Sequence, residues 1–574
     1  MNNTIAIRTK KDYFTAVFWA AAVIILFWGL GGRSLYVAEG RWAEIVREMF
    51  IKHDFFHPTV NWEPYFDKPL LSYWLIALAS FITGGLNEWA LRLPSAIAGA
   101  LSLWAVMDLG RRLWSRETGL VAGWILLTAY GMIFWSRTGV SDTENLAASI
   151  LAVAWYWSRR DGLENMKGMD AFYISIVFYL ICFIGAHTKG LTSVVIPMIA
   201  IAPDLLRRGR WKAIFTQGHI LALMIGLAIY LSPFVYATIT AKNYSENGLF
   251  MVFKENIQRF FEPFDHKEPF YVYFYYLPLL FMPWSPLLIA ALAKTTASWK
   301  RLDEKTTWLI TVFFLIFLFF TASGSRRSYY ILPIFPFSAL LVAVFLEKTG
   351  ENGFKKTALL IQTWIVLAAS FIEVLSPVIL PILERFTGFY TPSAFKIATV
   401  LIGLMALLPL FLRRILPETL KSLTGIAPKT AAVLLSTAII MGGLFCIQFN
   451  MLDNYRTERA FVEDVRQRLP NISQGSVAFY PKTITNLVFY LDMPGPIKIL
   501  KDKNDVSAFL NGGNGDKLII TTQRYANELS GIIFGTSSAA RGPDIRESVN
   551  PWETSKGKLM AKHVAWFIKG QRGK

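Results

Sequence analysis

The sequence predicts a polytopic α-helical membrane protein, with about 13 transmembrane helices and a C-terminal α/β domain facing one aqueous side. Three observations carry this. Apolar runs of about 17–25 residues, a bilayer-spanning length, recur from residue 14 to residue 448. The loops between them alternate between strongly basic and weakly basic. Beyond residue 450 the long runs stop, and short apolar stretches between Gly, Pro and Asp turns take over.

Hydrophobic residues make up 54% of the 574, too many for a string of soluble domains to keep in solution. The net charge is +18, from 58 Lys and Arg against 40 Asp and Glu. In a membrane chain that excess is explained by cytoplasmic loops facing anionic head groups, so no nucleic-acid partner is expected. Cys182 and Cys446 each lie inside an apolar run and read as buried thiols rather than a disulfide framework.

Lys10 and Lys11 precede an apolar run from Tyr13 to Leu30. No small-residue cleavage site follows convincingly, so this reads as an uncleaved first span. The spans are 14–31, 92–110, 117–136, 142–158, 171–187, 190–206, 217–239, 271–293, 307–322, 329–347, 357–381, 395–412 and 430–448. The run from Leu70 to Gly84 is about 15 residues, short for a span, and reads as an interfacial or re-entrant helix. Charge supports that choice. With the N-terminus inside, the cytoplasmic loops hold Arg111, Arg112 and Arg116, then Arg159 and Arg160, then Arg207, Arg208, Arg210 and Lys212. Lys294 to Lys305, Lys348 to Lys356 and Arg413 to Lys421 continue the pattern. Counting 70–84 as a span would invert every one of them.

The expected organisation is therefore a membrane domain over 1–449, with periplasmic loops 32–91 and 240–270, and a periplasmic α/β domain over 450–574. In the tail, Tyr455 to Leu469 reads as a helix, and Ser476–Tyr480, Leu487–Leu491, Ile497–Leu500 and Lys517–Thr522 as strands.

Chemistry-bearing residues gather on the outer face. In the first loop, Trp42, Ile45, Val46 and Met49 have the spacing of an amphipathic helix, with Glu39 just ahead of it. Glu39 could simply favour the positive helix N-terminus. Tyr65-Phe-Asp-Lys-Pro69 sets Asp67 and Lys68 between an aromatic and a proline, and Lys68 suits a phosphate as a point charge. In the tight turn Ser136–Asn145, Arg137, Asp142, Glu144 and Asn145 sit at the membrane boundary, where uncompensated charge is costly. Arg326 and Arg327 break the positive-inside pattern and suit an anion. His187, Lys189, Arg259 and the Asp265-His266-Lys267 run fall on the same side. Acids and cations at the bilayer edge fit a substrate with a phosphate head and a lipid tail. There is no Gly-rich phosphate loop, Ser-His-Asp signature or Cys-rich metal motif.

Taken in order, Glu39-Gly-Arg-Trp-Ala-Glu-Ile-Val-Arg-Glu-Met49, Tyr65-Phe-Asp-Lys-Pro69, Thr188-Lys-Gly190, Glu255-Asn-Ile-Gln-Arg-Phe260 and Tyr330-Ile-Leu332 resemble the C-type glycosyltransferases. The likeness is to the bacterial aminoarabinose lipid A transferases, in the protein O-mannosyltransferase superfamily. It covers most of the membrane region, to about residue 335.

The resemblance implies a C-type glycosyltransferase fold and transfer of a sugar from undecaprenyl phosphate to an acceptor on the periplasmic side. The acceptor implied is lipid A phosphate and the sugar 4-amino-4-deoxy-L-arabinose. It gives Asp142 the role of an acid in the second catalytic loop, and Arg41, Lys68, Lys189, Arg259, Arg326, Arg327 and Tyr330 roles at the donor phosphate. Asp67 and His266 match positions resembling a divalent-metal site, two ligands where zinc usually takes three or four; no other cofactor is implied. The family usually has Asp-Glu where this chain has Ala38-Glu39, so Glu39 is the residue left to act as the first acid. The partners implied are a lipid-linked sugar donor, lipid A or another glycolipid, and membrane lipids. The alternatives are the same donor chemistry with another sugar and another glycolipid or protein hydroxyl, and a lipid transporter or flippase. A transporter would place charges at the midplane and carry internal repeats.

Overall fold

The structure is a computed structural model, and it describes residues 2–36, 38–160, 169–240, 248–262, 266–350, 353–387, 391–453, 458–470, 473–513, 515–534, 543–546 and 563–569. Asp265 and the first residues of the predicted 455–469 helix lie outside the described residues.

The membrane region is a bundle of helices. Among the described residues, seven are long and apolar enough to cross a bilayer, or nine spans if each of two bent pairs counts as one. The long ones include Glu88–Leu113, Gln217–Thr240, Ser393–Ile415 and Pro428–Met451. The other predicted runs are helical too, but shorter or more polar: Asp142–Arg159, Met169–Ala186 and Thr192–Arg207. Asp142–Arg159 buries most of its circumference against its neighbours, so it does not need a uniformly apolar surface. Elsewhere, large apolar side chains such as Ile239, Trp364 and Phe411 point outward, as lipid contact requires. Leu71–Thr83, expected as an interfacial or re-entrant element, is a helix closed by Gly84.

Two predicted spans are broken. Arg116–Leu127 and Tyr130–Ser136 meet at 68°, and Val272–Leu280 and Ser285–Ala297 at 120°. The run expected as one continuous helix over 271–293 therefore turns sharply at residues 281–284. Hydropathy cannot see this, because the break is as apolar as the helices beside it. The two breaks satisfy one another, as backbone away from water must. The Tyr130 N–H donates to the Met282 carbonyl at 2.9 Å. The Trp284 indole donates to the Thr128 hydroxyl at 2.9 Å, and the Gln362 amide to the Pro283 carbonyl at 3.0 Å.

Polar contacts collect at the two ends of the bundle. At one end Arg160 pairs with Asp204 at 2.6 Å and with Glu304 at 3.0 Å. There Lys305 also donates to the Leu113 carbonyl. Residues 113, 160, 204 and 304 are thus neighbours, and the helices leaving them bring residues 136–142, 187–192 and 322–330 to the opposite end.

That opposite end carries the first loop and the tail. Glu39–Lys52 buries Trp42, Ile45, Val46 and Met49, the residues whose spacing predicts the helix. The tail holds a five-stranded sheet in the order Lys498–Ile499, Val477–Tyr480, Lys517–Thr522, His563–Ile568, Ile545–Arg546. The first three strands are parallel and the last two run antiparallel to their neighbours. One sequence expectation fails here. Residues 487–491 belong to the helix Thr485–Leu491, not to a strand. Leu487, Val488 and Leu491 all turn inward at helical spacing, and a short apolar run does not separate that pattern from a buried strand.

The tail is pinned to the first loop. Asn61 exchanges two hydrogen bonds with the Ile497 backbone, each 2.8 Å. Arg47 reaches the Met493 carbonyl at 2.9 Å, and the Tyr490 hydroxyl donates to Glu88 at 2.9 Å.

Candidate active site

At this end a cavity of about 360 Å³ opens among Lys68, Asp142, Lys189, Glu255, Arg259 and Tyr330. Its lining also includes the apolar side chains of Phe260, Phe261, Phe319, Phe320 and Leu332. Five of the eleven residues given catalytic, donor-binding or metal roles therefore line one space: Lys68, Asp142, Lys189, Arg259 and Tyr330.

Each is held by its own element. Asp142 begins the helix Asp142–Arg159, where a carboxylate is favoured by the helix dipole. It pairs with Lys189. The Lys189 ammonium lies 4.7 Å from the Tyr330 ring centre and 5.5 Å from that of Tyr329, a cation over two aromatic faces. The 187–190 turn is fastened by Asn145, whose amide donates to the Gly185 and Gly190 carbonyls at 3.0 Å each. Lys68 donates to its neighbour's carbonyl, that of Asp67, at 2.9 Å and to Glu255 at 3.0 Å. Arg259 pairs with the same Glu255 oxygen from one helical turn away. The Gly324 N–H closes the rim on the Phe260 carbonyl at 2.7 Å.

Glu255 was absent from the residues expected at the site, although it stands in a motif that carries the family resemblance. Its signal is the four-residue spacing to Arg259 on a helix. Tyr329, Asn145 and Asn256 also line the cavity.

The remaining candidates stand apart from the cavity lining. Arg41 donates to the Tyr65 hydroxyl at 2.6 Å and faces Asp67 at 3.4 Å. The Tyr65 hydroxyl in turn donates to Asp67 at 3.1 Å. Burial and the Asp67 charge push the Tyr65 phenol up to about 12, so it stays a donor at neutral pH. Asp67 also faces Lys68 at 3.7 Å, which joins this cluster to the cavity wall.

Arg326, expected to face an anion, spends its guanidinium on backbone. It donates to the Thr321 carbonyl at 3.0 and 3.2 Å and to the Glu268 carbonyl at 2.8 Å. Its own N–H donates to the His266 carbonyl at 2.8 Å. Arg327 donates to the Tyr329 hydroxyl at 3.2 Å, behind the cavity wall.

Glu39 is fully engaged inside the fold. It is 1% exposed and accepts four hydrogen bonds. Two come from Arg92, at 2.7 and 2.8 Å, one from the Gly139 N–H at 2.7 Å and one from the Tyr36 N–H at 2.8 Å. A carboxylate has about four acceptor positions, so all are in use. Burial alone would raise its pKa, but Arg92 and the backbone donors together hold the carboxyl below the ordinary glutamate range. The expectation that Glu39 takes over an acid's role finds no support in this geometry.

Among the described residues, Asp67 and His266 gain no third ligand that could complete a zinc centre. Asp67 is already flanked by the cations Arg41 and Lys68 on one oxygen. Among the described residues, no three or more of His, Cys, Asp and Glu come together in a way that could hold a metal ion. Zinc takes three or four such ligands. No metal enters the mechanism below.

Comparison with known proteins adds a second line. The family model described as dolichyl-phosphate-mannose-protein mannosyltransferase matches residues 67–236. The undecaprenyl phosphate-alpha-4-amino-4-deoxy-L-arabinose arabinosyl transferase of Edwardsiella ictaluri is 31% identical over 347 residues, 58% of this chain and 60% of that one. The Serratia proteamaculans protein of the same name is 27% identical over 414 residues, 70% of each chain. The alignment thus spans about three fifths of the first relative's length. The crystal structure of ArnT from Cupriavidus metallidurans bound to undecaprenyl phosphate superposes with a TM-score of 0.73 at 17% identity, over 96% of this chain and 97% of that one. Its apo form gives 0.68. Over nearly its whole length the chain thus shares the fold of that ArnT structure, and the segment carrying Lys68, Asp142 and Lys189 matches the mannosyltransferase family model.

Proposed function

We propose that this protein moves a sugar from undecaprenyl phosphate to an acceptor at the periplasmic face of the bacterial inner membrane. The sugar is 4-amino-4-deoxy-L-arabinose and the acceptor a lipid A phosphate. The observation that carries this reading is the meeting of Lys68, Lys189 and Arg259 in one cavity that is also lined by phenylalanine and leucine. Cations and apolar side chains in one cavity at the bilayer edge suit a phosphate joined to a polyprenyl chain.

The bond that breaks joins the anomeric carbon to the phosphate oxygen, and the bond that forms joins that carbon to the acceptor oxygen. Negative charge grows on the departing phosphate, and Lys68 and Arg259 are placed to stabilise it. An acceptor phosphate is already ionised and needs little help from a base. That agrees with Ala38 at the place of the family's usual aspartate and with the saturated hydrogen bonding of Glu39. Asp142 holds Lys189 at the cavity wall, and its carboxylate suits the partial positive charge of the sugar in the transition state. The domain limits 1–449 and 450–574 and the outward placing of loops 32–91 and 240–270 belong to the same reading.

The test is mass spectrometry of lipid A from cells with and without the protein. A pentosamine mass that appears with the wild type and is lost in Lys68→Ala supports the assignment. Unchanged lipid A in every strain rejects this acceptor and directs the search to other glycolipids and to protein hydroxyls.

A further inference from the structure

The cavity holds two carboxylates, and they are engaged differently. Asp142 has Lys189. Glu255 presents one oxygen, Oε2, to two cations at once: the Lys68 ammonium at 3.0 Å and the Arg259 guanidinium. The two cations come from distant parts of the chain: Lys68 lies 187 residues before Glu255, and Arg259 one helical turn after it. They converge on a single point that an anionic oxygen fills. Phe260 and Phe261 follow directly after Arg259 and belong to the apolar lining. The point where Glu255 sits is therefore where a phosphate oxygen would sit if its lipid chain lay along that lining. Both anions cannot hold the same place between the same two cations.

We propose that Glu255 is an internal placeholder for the donor phosphate. Its carboxylate occupies the seat between Lys68 and Arg259, is displaced when a polyprenyl phosphate group enters, and returns as the spent lipid phosphate departs. This rests on the polyprenyl-phosphate reading of the site. The placeholder keeps two cations apart from one another's repulsion in the empty cavity and fixes them in the geometry a phosphate needs. It also lowers the apparent affinity for that phosphate, since the seat is competent only in the fraction of molecules where the carboxylate has left. An enzyme that must release a long-chain lipid phosphate after every turnover gains from such competition.

The sign of one substitution separates this from a simple orienting role. A short-chain polyprenyl phosphate is titrated calorimetrically into the detergent-solubilised full-length protein. Glu255→Gln is isosteric and uncharged. It is expected to bind about tenfold tighter than the wild type, as for a seat vacant in about one molecule in ten. In turnover assays its KM and kcat should fall together, as lipid phosphate release slows. Equal or weaker binding by Glu255→Gln overturns the placeholder, because a residue that only orients Lys68 and Arg259 loses affinity when removed. Glu255→Asp covers the case in which the amide variant does not fold. Its carboxylate is one methylene short of the seat, so it too should bind tighter than the wild type, and weaker binding overturns the proposal. Lys68→Ala tests the underlying reading: a wild type that binds no polyprenyl phosphate, with no change in Lys68→Ala, removes the donor site and the placeholder together. Monophosphoryl lipid A is the second probe. Tightening by Glu255→Gln for that probe alone assigns the seat to the acceptor phosphate and overturns the donor placement.

Discussion

Glu39 and Gly139 are joined by a hydrogen bond of 2.7 Å between the carboxylate Oε1 and the backbone N–H. One hundred residues apart in sequence, they tie the first-loop helix to the turn that ends at Asp142. The same carboxylate is gripped by Arg92, and Arg92 also donates to the carbonyls of Leu30, Arg33 and Ser34. One buried ion pair thus gathers the exit of the first helix, the first loop and the Asp142 turn.

Glu39→Gln should therefore act on stability. It leaves the Arg92 charge buried without its partner, a loss of about 3–5 kcal/mol for pairs of this kind. Thermal unfolding in detergent, against the wild type, measures it. The folded fraction should keep turnover per molecule within a few-fold of wild type. A variant that unfolds like the wild type but has lost its turnover would return Glu39 to a chemical role.

The same pair sets a pH dependence. The Glu39 carboxyl is held below the ordinary glutamate value near 4.5. Below that value the unfolded chain takes up a proton that the folded chain still refuses, so folded stability falls as pH falls. The contribution is fully present above about pH 5 and drains away through the acid range as the native carboxyl titrates. Chemical unfolding at a series of pH values should show this slope in the wild type. The difference curve against Glu39→Gln should flatten above pH 5. A difference that grows from neutral pH upward contradicts the assignment.

Removal of metal should leave transfer unchanged. Asp67 already has Arg41 and Lys68 beside it, and a third cation would meet their repulsion. Dialysis of the protein against a chelator, then assay with added donor and acceptor, checks this. Loss of activity that zinc restores would show that residues beyond those described complete a site.

Much of the fold was legible because hydrophobic length is a strong signal: the predicted runs are helical, and Trp42, Ile45, Val46 and Met49 face inward as their spacing predicts. The breaks at 128–129 and 281–284 were not legible, since their satisfaction depends on Tyr130 meeting Met282 and Trp284 meeting Thr128 across the bundle. The site was half legible. Lys68, Asp142, Lys189, Arg259 and Tyr330 stand out as charges or aromatics at a membrane edge, and they converge. Arg326 looked the same in sequence, yet its guanidinium is absorbed by carbonyls of its own neighbourhood. Charge at a boundary marks a residue that needs a partner; only the fold says whether the partner is substrate or backbone.

Gly40 carries the last prediction, because it lets the tail approach the site. A Cβ at this position would lie 2.6 Å from the Asn486 Cα and 2.7 Å from its backbone nitrogen, too close for either to remain in place. The helix Thr485–Leu491 packs against Glu39–Lys52 at this point, and the neighbouring Arg41 holds Tyr65 and faces Asp67. Gly40→Ala should therefore wedge the tail from the first loop at a cost of about 1–3 kcal/mol, the range for overpacking a closed interface. Limited proteolysis should cut the tail faster in this variant. Transfer should weaken as well, because Arg41, Asp67 and Lys68 form one connected chain of contacts into the cavity wall. If the tail loosens and the transfer rate holds, the tail is a lid on the loop and has no hand in positioning Lys68.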